Sequence, residues 1–151
     1  MYAKILVPID GSLTSKRGLS EAIGLARQLK CQLVLMTVVD DFPMTVEWAS
    51  ADAFEQTRRR MVQLGEDVLA DGRRIAGEAG VPCETALREV TTERAADSIV
   101  SEAVKQGCEL IVMGTHGRRG LNRLAMGSDA ELVVRESPVP VLLVRNPDAP
   151  A

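Results

Sequence analysis

Four short runs of apolar residues recur along the chain: residues 3–9, Leu33–Val39, Leu110–Met113 and Val139–Val144. Near-continuous apolar runs of this length predict strands buried on both faces. Pro8 withdraws one ladder hydrogen bond, so pairing of the first run is expected to end there. A fifth candidate, Glu84–Arg88, alternates polar and apolar positions. That pattern predicts a half-solvated strand at a sheet edge.

Between these runs the apolar spacing changes to three and four. Leu19, Ala22, Ile23, Ala26 and Leu29 share one helical face, with Ser12 or Thr14 placed to cap it. Asp40-Asp41-Phe42-Pro43 opens a connection of about ten residues, longer than is usual between a strand and a helix. Phe54, Thr57, Met61, Leu64, Val68, Ile75 and Ala79 then predict a long helix, weakened near its end by Gly72 and Gly77 and stopped by Gly80-Val81-Pro82. Ala95, Ala96, Ile99 and Ala103 predict a third helix, capped by Thr91 or Thr92 and ended by Gly107. A fourth runs from Ser128 to about Glu136, where Ser128-x-x-Glu131 has the form of a capping box.

Strands that alternate with helices predict an α/β fold, a single-domain, doubly wound, five-stranded parallel sheet. Strands one, two and four are apolar throughout and belong at its centre. Asn146-Pro147-Asp148-Ala149-Pro150 reads as a frayed end, so the domain is expected to span 1–146 with 147–151 as a disordered C-terminal tail.

Composition narrows the partners. The 151 residues are 46% apolar and 26% charged, with a net charge of −3 and a pI near 5.3. An acidic chain argues against a nucleic-acid or anionic-membrane surface, and its few aromatics are not clustered with basic residues. Cys31, Cys83 and Cys108 lack metal-ligand spacing and make an odd count, and each stands at the entry to a strand candidate. Small buried residues are the expectation for all three. No apolar run approaches the ~20 residues that span a bilayer, and the first residues form a strand pattern rather than a signal segment. A cytoplasmic location is the expectation.

The chemistry gathers in Gly114–Ser128. A strand candidate precedes this stretch and a helix candidate follows it. Within it lie several glycines, Arg118, Arg119, Arg123 and the sole histidine, His116. Glycines allow backbone N–H groups to approach an anion, and the start of the next helix favours negative charge. The spacing, Gly114-x2-Gly117-x9-Gly127-Ser128, has no P-loop lysine and is not the dinucleotide fingerprint. Asp129 follows directly; a carboxylate there suits the helix dipole and repels a polyphosphate. Asp10 leaves the first strand and could serve a turn or a ligand. Asp40 and Asp41 read as loop residues, with metal coordination as the minor alternative.

These residues resemble the universal stress protein family, in the ATP-binding branch whose motif is G-x2-G-x9-G followed by Ser or Thr. The similarity runs from Ile5–Ser12 to Pro138–Arg145. The resemblance implies strand order 3-2-1-4-5, a Rossmann-like sheet of the adenine nucleotide alpha hydrolase-like kind. It places a nucleotide at the switch point between strands one and four, with Asp10 toward ribose and adenine and the Val38 backbone toward adenine. The implied binding set is Pro8, Ile9, Asp10, Val38, Met113, Gly114, His116, Gly117, Arg118, Gly127, Ser128 and Asp129. The ligand is ATP, with ADP or AMP as alternatives, accompanied by Mg²⁺ or Mn²⁺. No catalytic set and no dedicated metal site are expected.

Strand five, with Val139, Val141, Leu142, Leu143 and Val144, is apolar on both faces yet lies at an edge in that order. Such an edge invites another chain, and the resemblance implies a homodimer through it. The function expected is a dimeric cytoplasmic sensor or regulator of the stress response, acting with an unknown protein partner. The alternatives are a nucleotide-independent interaction module and a slow ATP hydrolase. A phospho-acceptor receiver is disfavoured because strand three ends without an acceptor Asp.

Overall fold

Residues 1–41, 50–116 and 126–148 are described by the structure, a computed structural model. The elements are β1 (Lys4–Pro8), α1 (Leu13–Leu29), β2 (Gln32–Asp40), α2 (Ala51–Glu78), β3 (Cys83–Val90), α3 (Ala95–Lys105), β4 (Leu110–Gly114), α4 (Ser128–Glu136) and β5 (Val141–Val144). All five strands are parallel, in the order β3-β2-β1-β4-β5, as expected. β1 does end at Pro8. Among the described residues no helix is long and apolar enough to cross a membrane.

The pleat divides the core in two. Ile5, Val7, Leu33 and Leu35 face α1 and α2, meeting Leu19, Ala22, Leu69 and Ala76. Leu6, Val34, Met36 and Ile111 face α3 and α4, meeting Ala96, Ile99 and Val133. Burial of each large side chain is worth about 1.5–3 kcal/mol, so both layers are strongly anchored to the central strands. At the β3 edge a buried carboxylate does the joining. Glu102 of α3 is 3% exposed and accepts from Arg88 Nε and Nη2 at 2.8 and 2.9 Å and from Gln106 at 2.8 Å.

Three local expectations are corrected. In α2 the face laid on the sheet is Gly65, Leu69, Gly72 and Ala76, one step round from the predicted stripe, and Leu64 is 53% exposed. The reason is close approach. A Cβ on Gly65 would stand 3.0 Å from Leu87 Cδ1, and one on Gly72 would stand 2.9 Å from Ile9 Cδ1. The helix sets Gly65, Gly72 and Ala76 against the strands with Leu69 among them, and Val68 and Ile75 flank that face. Gly72 is thus a packing position and not merely a weak point.

The other two corrections concern caps. α3 is capped by neither Thr91 nor Thr92: its N-cap is Arg94, with no side-chain hydrogen bond. Thr91 Oγ1 instead donates to Asp41 Oδ1 at 2.6 Å, pinning the exit of β3 to that of β2. At α4 the N-cap is Gly127, so Ser128 is the first helical residue and the capping box does not form. α1 follows expectation, since Ser12 Oγ accepts from the Ser15 N–H at 3.2 Å.

Candidate functional site

The site begins with a difference in strand length. β1 and β2 pair only as far as Pro8 opposite Met36, followed by one last link from the Ile9 N–H to the Met36 carbonyl at 2.7 Å. β2 runs on to Asp40, paired with β3 alone. Backbone groups alternate sides along a strand, so Val38 turns its N–H and C=O the same way as Met36, toward the space beyond β1. From β1 the chain leaves for α1 on one face; from β4 it leaves for α4 on the other. This is the switch point of a doubly wound sheet, and a cleft of about 560 Å³ occupies it.

Asp10 is held by the entry into α1. Its Oδ1 accepts from the Ser12 N–H at 2.9 Å, and its own N–H donates to Ser15 Oγ at 3.0 Å. The turn reading of this residue is therefore correct, and the same turn delivers the carboxylate to the cleft wall. Beside it Thr37 Oγ1 donates to the Ile9 carbonyl at 2.8 Å, fixing the floor.

On the other side stand the described ends of the glycine-bearing stretch, Gly114–His116 and Gly127–Ser128. A Cβ on Gly114 would lie 2.7 Å from Thr14 Cγ2 and 3.0 Å from the Thr14 backbone. Glycine is thus required there by the packing of α1 on β4, whatever else the position does. The Gly127 N–H donates to the Thr115 carbonyl at 2.8 Å, which joins the start of α4 to the exit of β4. A side chain on Gly127 would press on that carbonyl, its Cβ at 3.1 Å. Thr115 Oγ1 meets His116 Nδ1 at 3.0 Å. Ser128, Asp129 and Ala130 bring the start of α4 to the cleft, with the positive end of its dipole.

Ten of the twelve expected residues line this one cleft: Pro8, Ile9, Asp10, Val38, Met113, Gly114, His116, Gly127, Ser128 and Asp129. The other two, Gly117 and Arg118, lie outside the described residues, as do Arg119, Gly120 and Arg123. Of the adjacent acids Asp40 lines the cleft, whereas Asp41 is buried against Thr91.

Several lining residues were missed by sequence reasoning. Thr37 and Thr115 sit inside apolar runs or at their ends. Met61, Leu64 and Val68 come from α2, and the neighbouring Gly65 and Gly72 were the signal that these larger residues stand beside the packed face. Arg94 was missed as well; a cation at a helix N-cap is the signal there.

Among the described lining residues Asp10, Asp40 and Asp129 carry negative charge, and Arg94 is the Lys or Arg that opposes them. Hydrogen bonds to Asp97, and then to Glu136, hold the Arg94 guanidinium firmly in its charged form. Arg94 in turn holds the Asp97 carboxyl below its usual range. The cysteines stay apart from this chemistry. Cys31 and Cys108 are buried as expected, whereas Cys83 at the edge strand is only partly so, and desolvation pushes the Cys108 thiol up to about 11.

Comparison with known proteins gives consistent findings. The model of the universal stress protein family matches residues 1–145. A universal stress protein of Methanocaldococcus jannaschii is 34% identical over 147 residues, 97% of this chain and 84% of that protein. A crystal structure of a family protein from Burkholderia pseudomallei is 32% identical with a TM-score of 0.77, covering 94% of this chain and 95% of that one. An Arabidopsis thaliana family protein solved with AMP bound shares the fold at 21% identity and a TM-score of 0.70, covering 97% and 94%.

Proposed function

The chain belongs to the universal stress protein family, and on that premise we propose that its cleft holds an adenine nucleotide, ATP ahead of ADP or AMP. The observation that carries this reading is the convergence at one switch-point cleft of residues from the ends of β1, β2 and β4 and the start of α4. The solved relative with AMP bound lends support. The backbone of Val38 offers one donor and one acceptor to a base edge, Asp10 offers a carboxylate to ribose hydroxyls, and the α4 start favours phosphate. The carboxylates and hydroxyls of the wall are hard oxygen donors, which suits Mg²⁺ or Mn²⁺ carried in with the phosphates. The domain, residues 1–146, acts as a dimeric cytoplasmic regulator of the stress response whose nucleotide reports to a protein partner.

Slow ATP hydrolysis is the second reading. It is favoured by His116, an imidazole in the same cleft, in contact with the Thr115 hydroxyl at 3.0 Å.

The deciding experiment denatures the purified protein and identifies released nucleotide by mass spectrometry, alongside calorimetry with ATP, ADP and AMP in Mg²⁺. Micromolar-range binding is expected, and Gly127→Val should abolish it. Ligand at a hundred times its dissociation constant should raise unfolding stability by about 2.7 kcal/mol. No released nucleotide and no heat would overturn the proposal and leave an interaction module that works without nucleotide.

A further inference from the structure

Arg94 breaks a local rule at the rim of the cleft. Helix N-caps favour Ser, Thr, Asp or Asn, and positive charge there opposes the helix dipole. In α3 an arginine takes that place and no side chain caps the helix. Its charge is offset by carboxylates on two helices. Asp97 accepts from Nε at 2.9 Å and from Nη2 at 2.6 Å, and Glu136 accepts from Nη2 at 2.9 and 3.1 Å. These bonds hold the guanidinium by its edge, and half of the side chain's surface remains exposed. Nη1 is engaged by none of the described residues.

Two registers locate this group within the cleft. β2 and β3 stay paired as far as Asp40 opposite Val90, so Arg94, a short step beyond Val90, belongs to the β2 end. There it lines the cleft with Val38, Asp40, Ala95 and Ile99. On α4, Ser128 borders the cleft while Glu136 holds Arg94. Eight residues at 1.5 Å each separate those two positions by about 12 Å along the helix. The guanidinium is thus held by the far end of α4 from the phosphate-attracting helix start.

We infer that Arg94 reads the base of the bound nucleotide, its guanidinium plane stacking on the purine beside Val38 and Ile99 while the phosphates lie at the start of α4. This rests on the nucleotide reading above and adds a residue that holds the base. Guanidinium prefers aromatic faces in a way an ammonium does not.

The test is calorimetry with adenosine, AMP, ATP and inorganic triphosphate on wild type, Arg94→Ala and Arg94→Lys. The lysine variant keeps a cation for Asp97 and Glu136 and so guards the fold. Arg94→Ala should weaken adenosine, AMP and ATP by one common factor, roughly fivefold, which corresponds to about 1 kcal/mol of stacking. Triphosphate binding should not change, and Arg94→Lys should not restore the loss. A loss that grows from adenosine to ATP would make Arg94 a phosphate contact and overturn the inference. Full affinity in either variant would overturn it too. Failure of the wild type to bind any nucleotide would instead bring down the nucleotide reading itself.

Discussion

A glycine has opposite meanings at different places in this chain, and space decides which. Gly114 sits where a Cβ would meet Thr14 Cγ2 at 2.7 Å and the Thr14 backbone at 3.0 Å. The side chain could turn aside, but the backbone contact cannot be relieved without moving α1. Gly114→Ala should therefore destabilise the protein by about 1–3 kcal/mol, the usual penalty of overpacking. Gly24, within α1, has nothing within 4 Å of its would-be Cβ. Gly24→Ala should stabilise by about 0.5–1 kcal/mol, because alanine loses less backbone freedom in a helix. Urea unfolding of the two variants checks both signs, and a stabilised Gly114→Ala would refute the packing role.

At the scale of elements, α2 is tied to the edge strand β3 by charge as well as by its glycine face. Glu55 of α2 accepts from Arg58 at 3.0 and 3.1 Å and from Arg59 at 3.2 Å, and Arg58 also pairs with Glu89 of β3. The Arg58 hydrogen bonds foremost, then Arg59, lower the Glu55 carboxyl from its ordinary 4.5 to about 2. A carboxyl with a depressed pKa contributes stability above its unfolded value, and loses it as pH falls through its folded value. The window here runs from 4.5 down to about 2. In urea titrations across that window, wild type should lose stability more steeply than Glu55→Gln, and the two should converge at its acid end. The pair is exposed to solvent, so added salt should shrink the difference. Parallel pH curves would show that the cluster contributes nothing to folding.

For the whole molecule the open question is what covers β5. The strand pairs with β4 on one side only. Val139, Val141 and Leu143 pack toward α3 and α4, whereas Leu142 points the other way and is 37% exposed. An apolar edge of this kind suits a second copy across a two-fold axis. Sedimentation equilibrium is expected to report about twice the 16.3 kDa chain mass. Leu142→Lys should yield folded monomers, because it charges the edge without entering the core. The double variant Val141→Lys with Leu143→Lys should unfold instead. Wild type that remains monomeric at high micromolar concentration would remove the dimer from the picture.

Much of this was already legible along the chain. The apolar runs marked the strands, and for the central β1, β2 and β4 the reason is that burial on both faces of a sheet leaves a local imprint of continuous hydrophobicity. Periods of three and four marked the helices, and the half-polar Glu84–Arg88 marked an edge. Asp10 and the two ends of the Gly114–Ser128 stretch marked the cleft, since strand ends and helix starts are where a doubly wound sheet exposes its backbone. Tertiary structure alone decided the rest. The face α2 turns to the sheet depends on Gly65 meeting Leu87 and Gly72 meeting Ile9, contacts between positions far apart in sequence. The cap of α3 fell to Arg94, while Thr91 was held by Asp41, a residue of another strand's exit. Gly114 was required by Thr14, and Arg94 reached the cleft with a partner from α4. Periodicity records whether a residue is buried; which neighbour buries it depends on how closely two backbones approach, and that is a property of the pair rather than of either segment.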